Sequence, residues 1–419
     1  IDFKSSIRNL NRIDLKDLLE LHSGDWFSSE EIDKSIKNIN DKTSELGFAF
    51  VDVIPRVKKI GEDKVDVLFD IVQGPKIYID RIQISGNLKT EDEVVRRELE
   101  LVEGDSFNSL KIRQSEKNLR SIGLFDNVDI KYEELGGTNK SNLDVEVTER
   151  STGEFSVGGG YSSLDGAMAN IAIKESNLFG QAKELSLDLG ISTRRSSIDL
   201  QYTDPHFMDR DIAAGIDIFN VRRNNKSYSG YKHNILGFKL RSWYEIIDDL
   251  RHFSSYSLKR DKIHDIDNAT SIYIQEQEGK RTTSIIGQAI QYDKLNDRIN
   301  PTDGYRIRLD FDFYGLVGDA EHINAELKLS NFYRIDDQLI LANFIEGGFI
   351  ASINDVKIND RFFLDGDRMR GFKNLGIGPR DSSTSDALGG EIYYISRNEL
   401  NFPLGLPDEL GVMGLIFAD

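Results

Sequence analysis

Apolar positions recur at helical spacing in two stretches of the first 150 residues, and from about residue 151 a strict alternation replaces that spacing. In the first stretch Ile32, Ile36, Ile39 and Leu46 share one helical face; in the second Ile112, Leu119 and Ile122 do the same. Each predicted helix ends near a glycine, Gly47 or Gly123, placed as a C-cap and followed by aromatics: Phe48 and Phe50, then Phe125. Alternating strands close each stretch, 51–57 with 65–72 and 128–132 with 143–147. A further strand (Ile77, Ile79, Ile82, Ile84) precedes a turn at Gly86-Asn87 and a helix through Val95, Leu99 and Val102. Thr90 and Glu93 have the spacing of a capping box at the start of that helix. Gly24-Asp25-Trp26-Phe27-Ser28 recurs as Gly104-Asp105-Ser106-Phe107-Asn108, so the region reads as a repeated β-α-α-β-β unit.

From 151 onward the clearest strand is 305–313. Tyr305, Ile307, Leu309, Phe311 and Phe313 lie on one face and Arg306, Arg308, Asp310 and Asp312 on the other. Leu185 to Ile191, Ile198 to Tyr202, Ile212 to Ile218 and Ala325 to Leu329 alternate likewise. Tight connections (204–206, 335–337) take turns with longer ones (221–231, 355–378). Short turns opposite long loops fit an antiparallel transmembrane barrel whose charges line the lumen, because a lipid-facing Lys or Arg at the midplane costs ~2–4 kcal/mol. A soluble β-sandwich would alternate in the same way with its charges facing water.

Composition narrows the function. The formal net charge is -18, spread over the chain with no basic stripe, so a nucleic-acid footprint is not expected, nor attraction to anionic lipid headgroups. Without cysteine there is no disulfide framework and no thiolate chemistry. No run approaches the ~20 apolar residues of a membrane helix. The mean hydropathy of -0.42 is still compatible with a barrel, whose strands average out as polar. Six histidines are scattered without ligand spacing, and the run Asp261, His264, Asp265, Asp267 lacks the glycine and terminal glutamate of an EF-hand. Gly158-Gly159-Gly160 is not a phosphate loop and no G-x-S-x-G elbow occurs. No catalytic residue, metal or cofactor is expected. The chain opens at Ile1 without a signal peptide and reads as a piece of a longer protein.

Several segments together resemble the BamA family of outer-membrane β-barrel assembly factors. Glu154-Phe155-Ser156-Val157-Gly158-Gly159-Gly160-Tyr161-Ser162 is similar to its first barrel strand and Asn177-Leu178-Phe179-Gly180 to its first turn. Tyr202-Thr203-Asp204-Pro205-His206-Phe207 is similar to its T-D/N-P-x-F turn, and Asn300-Pro301-Thr302-Asp303-Gly304 to its P-T-x-G segment. Met369-Arg370-Gly371-Phe372 followed by Gly376-Ile377-Gly378-Pro379 resembles its R-G-F and G-x-G-P loop, and the G-D-x-F steps of the repeat resemble its POTRA modules.

The resemblance implies α+β POTRA modules at 1–74 (the penultimate one, its opening strand cut) and 75–150 (the last). An all-β transmembrane antiparallel barrel follows at 151–419, incomplete at its C-terminus, with about thirteen of the family's sixteen strands and the motif loop at about 355–389. It implies that Arg370, Gly371 and Phe372 dock on the barrel wall, with Phe372 as apolar anchor and Glu399 and Asp419 as acceptors. A guanidinium leaving water needs such carboxylates. It implies that Arg96 and Glu103 contact an accessory outer-membrane lipoprotein. The expected partners are unfolded outer-membrane protein clients, received by β-augmentation, those lipoproteins and the lipid bilayer, with no nucleic acid and no cofactor. The expected location is the bacterial outer membrane with the modules in the periplasm. A secretion transporter of the same superfamily, a passive porin and a soluble β-protein are the alternatives.

Overall fold

The computed structural model describes the chain except residues 6–14, 26, 46–50, 61–63, 74–76, 137, 163–164, 319, 337–338, 353–354, 365, 367, 374 and 406–411. Trp26, Leu46, Gly47, Phe48, Phe50 and Asp337, singled out above, lie outside the described residues. The chain divides into two units, 1–152 with 177–182, and 153–176 with 183–419.

The first unit holds two three-stranded sheets of one topology. In the first, β1 (Asp2–Ser5) lies parallel to β3 (Lys64–Gln73), which pairs antiparallel with β2 (Val51–Ile60). In the second, β4 (Tyr78–Ser85) lies parallel to β6 (Lys140–Glu149), which pairs antiparallel with β5 (Phe125–Glu134). The helix α1 (Ser29–Glu45) buries Ile32 and Ile39 with Phe3, Val67, Phe69 and Ile71. A short helix α2 (Asp92–Arg96) and α3 (Ser109–Ser121) bury Val94, Val95 and Leu119 with Ile79, Ile82, Leu143 and Val145. Each module thus has its own core around its last strand, the central one of its sheet.

The repeat extends deeper than the Gly-Asp steps. Gly24 and Gly104 both take positive φ (+110° and +98°), which glycine adopts without a Cβ penalty. Asp25 and Asp105 then each accept a hydrogen bond from the N–H three residues earlier, His22 at 2.8 Å and Val102 at 3.2 Å. Ser35 and Ser115 each accept from the backbone N–H of a glutamate, Glu20 at 3.0 Å and Glu100 at 2.8 Å. Asn38 and Asn118 each donate to a backbone carbonyl, Leu18 at 3.1 Å and Glu98 at 3.4 Å. These Ser-x-x-Asn pairs satisfy the chain entering each helix–helix step. Ser35 and Ser115 are buried, at 0 % and 2 % exposure, so polar residues occupy core-facing positions that an apolar-spacing pattern does not mark. One equivalence fails, since Phe107 is buried whereas Phe27 is exposed.

Two expectations around α2 are corrected. The helix stops at Arg96, so Leu99 and Val102 lie beyond it. Thr90 is not part of a capping box: Glu91 occupies the N-cap and no side chain caps it. The Thr90 hydroxyl instead accepts from Asn177 Nδ2 at 2.9 Å. Glu149 stabilises the turn in place of a cap, accepting from the N–H groups of Lys89 (3.0 Å) and Thr90 (2.6 Å). Burial pushes the Glu149 carboxyl up, but the hydrogen bonds from Thr90 and Lys89 outweigh it and leave its pKa below the ordinary 4.5. A depressed folded-state pKa gives stability that is complete above the unfolded value and is lost as pH falls through the folded one. Hydrogen-exchange protection of the Lys89 and Thr90 amides is therefore expected to fall below pH 4.5 in the wild type. In Glu149→Gln that protection should be weaker at neutral pH and nearly flat across the same range.

The second unit is a thirteen-stranded sheet in which each strand pairs antiparallel with the next in chain order. Its strands are β7 (Gly153–Ser162), β8 (Gly166–Leu178), β9 (Lys183–Ser192), β10 (Arg195–Asp204), β11 (Ile212–Asn224), β12 (Lys232–Ile247) and β13 (Leu250–His264). They continue with β14 (Gly279–Asp293), β15 (Gly304–Gly318), β16 (His322–Arg334), β17 (Ile340–Ser352), β18 (Ile392–Pro403) and β19 (Met413–Ala418). The outermost strands β7 and β19 do not pair with each other. Many strands exceed ten residues, and β12 reaches sixteen. The loop expected at 221–231 shrinks to 225–231, because β11 continues to Asn224. One face carries exposed Tyr305, Phe311 and Phe313. The other carries ion pairs: Arg306–Asp293 (2.8 Å), Arg308–Asp310 (2.8 Å) and Arg241–Asp217 (2.8 Å). Pairing its charges lets that face turn away from bulk water.

Candidate functional site

The motif segment lies in the connection between β17 and β18. Gly371 takes φ +87° with open space around it, so the backbone turn, not crowding, selects glycine. The turn directs Arg370 onto the last two strands. Its Nε donates to Asp419 Oδ2 at 2.8 Å and its Nη2 to Asp419 Oδ1 at 2.6 Å, a bidentate pair. The Arg370 backbone N–H adds a bond to Asp419 Oδ2 at 3.1 Å, and Nη1 lies 2.9 Å from Glu399 Oε1. The guanidinium stacks 3.9 Å from the centroid of the Phe417 ring. The Asp419 side chain is 4 % exposed and that of Arg370 27 %.

Register explains the convergence. Glu399 faces Phe417 across the β18–β19 pair, and Asp419 follows Phe417 by two residues, so all three project from one face. The phase of Asp419 is not legible in the residues before it, Leu415 to Ala418, because they are apolar on both faces of the strand. The structure therefore brings Arg370, Glu399 and Asp419 together. Phe372, expected as the apolar anchor, is half-exposed, as is Phe417; the ring that contacts the guanidinium is Phe417, which the sequence did not single out.

The roots of the loop are held independently. Arg281, at the start of β14, pairs with Asp360 at 2.7 Å, with side chains 15 % and 2 % exposed. Ile358 packs in a small apolar cluster with Tyr231, Ile263 and Ile274, and the Tyr231 hydroxyl donates to Asn359 Oδ1 at 2.9 Å. On the returning arm Ser271 donates its hydroxyl to Asp381 and its N–H to Asp386 Oδ2 at 2.7 Å. Hydrogen bonds from the Ser271 and Ser383 hydroxyls hold the Asp381 carboxyl well below the usual carboxylate range. No local pattern marks Asp360, Asp381 or Ser271, because their partners lie 79 and 110 residues away.

In the second module Arg96 Nη1 lies 2.9 Å from Glu103 Oε1. The pair also closes a sheet edge: Ile82 donates its N–H to Glu103 (3.3 Å) and accepts at its carbonyl from Arg96 Nη2 (3.0 Å). Further along β4, Ile79 exchanges backbone bonds with Asp105 (2.9 Å) and Gly104 (2.8 Å). The outer edge of β4 is thus occupied by its own module, while β5 is the other edge strand of that sheet. The backbone N–H of Glu103 and then the Arg96 guanidinium lower the Glu103 carboxyl from its ordinary value. Among the described residues no group of three His, Cys, Asp or Glu could hold a metal.

These features meet a family. A sequence model of the Omp85 superfamily domain matches residues 177–419. The chain belongs to the Omp85 superfamily. A POTRA model, described as a surface antigen variable number repeat, matches 1–74 and 77–150. Among Omp85 relatives, the outer membrane protein assembly factor BamA of Neorickettsia risticii is 33% identical over 97% of this chain and 55% of its own length. BamA of Neisseria meningitidis is 30% identical over 58% of this chain and 31% of its own length. The chain spans about half the length of these BamA relatives, or less. Among solved structures, BamA from Haemophilus ducreyi lacking POTRA domains 1-3 superposes with a TM-score of 0.82 at 20% identity, over 100% of this chain and 85% of that one. CdiB from Acinetobacter baumannii gives 0.51 at 15% identity, over 97% and 76%. The fold is POTRA modules followed by the antiparallel barrel sheet of that superfamily.

Proposed function

We propose that this chain is the membrane part, with its two adjoining modules, of an assembly factor that folds and inserts β-barrel precursors into the bacterial outer membrane. The observation that carries the reading is the coupling of two architectures in one chain. Modules with free strand edges precede a thirteen-stranded sheet that is apolar on one face and charge-paired on the other. The apolar face meets lipid and the modules lie in the periplasm. A client strand adds by backbone hydrogen bonds to an open edge, which asks little of client sequence. In the second module that edge is β5, since β4 is already engaged by Arg96, Glu103 and the turn at 104–107. The work is transfer between environments and needs no covalent chemistry, metal or cofactor.

Within this reading Arg370, Gly371 and Phe372 form the loop docking element and Glu399 and Asp419 its acceptors on the wall. The half-exposed Arg96–Glu103 pair is the contact for an accessory lipoprotein. Depletion of the full-length protein is expected to leave other outer-membrane barrel proteins in their unfolded, heat-insensitive gel form. Complementation with Glu103→Lys should restore the protein but not its co-purifying lipoprotein. Normal assembly of barrel proteins after depletion, together with pore conductance of the purified protein, would identify a porin instead. Lipoprotein retained at wild-type level by Glu103→Lys would remove the pair from the contact.

A further inference from the structure

The strand register assembles a row of cations that no stretch of the sequence contains. Arg222 on β11 faces Asn234 on β12, Asn234 faces Lys262 on β13, and Lys262 faces Lys280 on β14. Residues in register share a face, so the four side chains form one line across four strands about 5 Å apart. Arg260 lies two residues along β13 from Lys262 on the same face. Arg222, Arg260, Lys262 and Lys280 are all exposed, and none has an ion pair among the described residues. Lys232, one step beyond, is taken up by Asp265 at 2.7 Å.

The face is the outward one. Ile263, between Lys262 and His264, is buried on the opposite face with Tyr231, Ile274 and Ile358 of the loops. Toward the short-turn end the row is followed by exposed Leu236, Ile218, Leu240 and Ile216 on the same face, and then by Tyr244, in register with Ile212. From Arg222 to Ile212 is a step of ten residues along β11, or roughly 33 Å of strand. Tilted about 40°, that strand spans about 25 Å, the height of the apolar band of a membrane barrel. The cations therefore sit at the edge of the band on the long-loop side, where a lipid-facing charge costs little. Two lysines placed directly opposite each other repel unless an anion lies between them.

We propose that this row binds the anionic, phosphate-bearing headgroups of the lipid leaflet bordering the long-loop end of the sheet. The proposal rests on the reading of the sheet as a membrane wall. A phosphate reaches two cations at once, and the directly opposed Lys262–Lys280 pair offers such a position, with Arg222 further along the row.

The test uses the full-length protein in phosphatidylcholine vesicles, with spin-labelled phosphatidylglycerol or phosphatidylcholine reporting boundary lipid by electron paramagnetic resonance. A preference of about five-fold at the row, diluted around the whole perimeter, should appear as about two-fold stronger association of phosphatidylglycerol. High salt should bring the ratio toward one in the wild type, a readout that needs no variant to fold. The combined Arg222→Gln, Lys262→Gln and Lys280→Gln variant should lose the preference, and Lys262→Arg with Lys280→Arg should keep it. Equal association of both lipids with the wild type, or a preference surviving the triple substitution, would overturn the proposal. If neither lipid shows an immobilised population, the membrane-wall reading fails, and the proposal with it.

Discussion

Arg370→Ala in the full-length protein is expected to lower the stability of the barrel by about 3 kcal/mol, because it strands two carboxylates. Asp419, at 4 % exposure, loses a bidentate partner, and Glu399, at 19 %, loses its cation. Each is then left without the charge that offset its removal from water. Arg370→Lys should recover only part of the loss: an ammonium cannot form the fork on Asp419 or the flat stack on Phe417. The measurement is the temperature at which the heat-modifiable folded band is lost in detergent, read beside growth complementation. Arg298→Ala, at an exposed turn position, is the reference. Equal melting and equal complementation for Arg370→Ala and Arg298→Ala would sink the docking role of the motif.

Loss of Asp360 or Arg281 alone is expected to be as severe but to act at the root of the loop. The Asp360 side chain is 2 % exposed and Arg281 15 %, so removing either partner leaves a buried charge, at about 3–5 kcal/mol. Arg281→Ala should raise proteolytic cleavage of the connection between β17 and β18 well before the strands themselves open. The paired substitution Arg281→Met with Asp360→Leu should restore most of the protection, since removing both charges removes the desolvation cost as well. Ser271→Ala, which deletes one hydroxyl donor to Asp381, should cost about 1 kcal/mol. If the paired substitution is no better than Arg281→Ala, Arg281 and Asp360 act separately and the ion pair is not what holds the root.

The elements were legible where the cause is local. The spacing of Ile32, Ile36 and Ile39 marked α1, and the alternation from Tyr305 to Phe313 marked β15 with its correct faces. Where a non-local partner won, local reading failed. Thr90 and Glu93 have the spacing of a capping box, yet Glu149, 59 residues away, satisfies the Thr90 amide and Asn177 takes its hydroxyl. Of the docking site, Arg370 and its two acceptors were accessible through the family resemblance. That the ring under the guanidinium is Phe417 and not Phe372 was not, because it depends on which face of β19 meets the loop.

By itself the sequence determined the repeated α+β units, the period-two region and the absence of a basic stripe along the chain. Hydrophobic period is set by covalent geometry, 3.6 residues per turn or two per pleat, and is written into neighbouring residues. Tertiary structure alone decided which charges meet. Strand register placed Arg222, Lys262 and Lys280 in one outward row and Glu399, Phe417 and Asp419 around one arginine. A net charge of -18 and a local basic row are compatible, because sheet pairing sorts residues by distance across strands, not by distance along the chain.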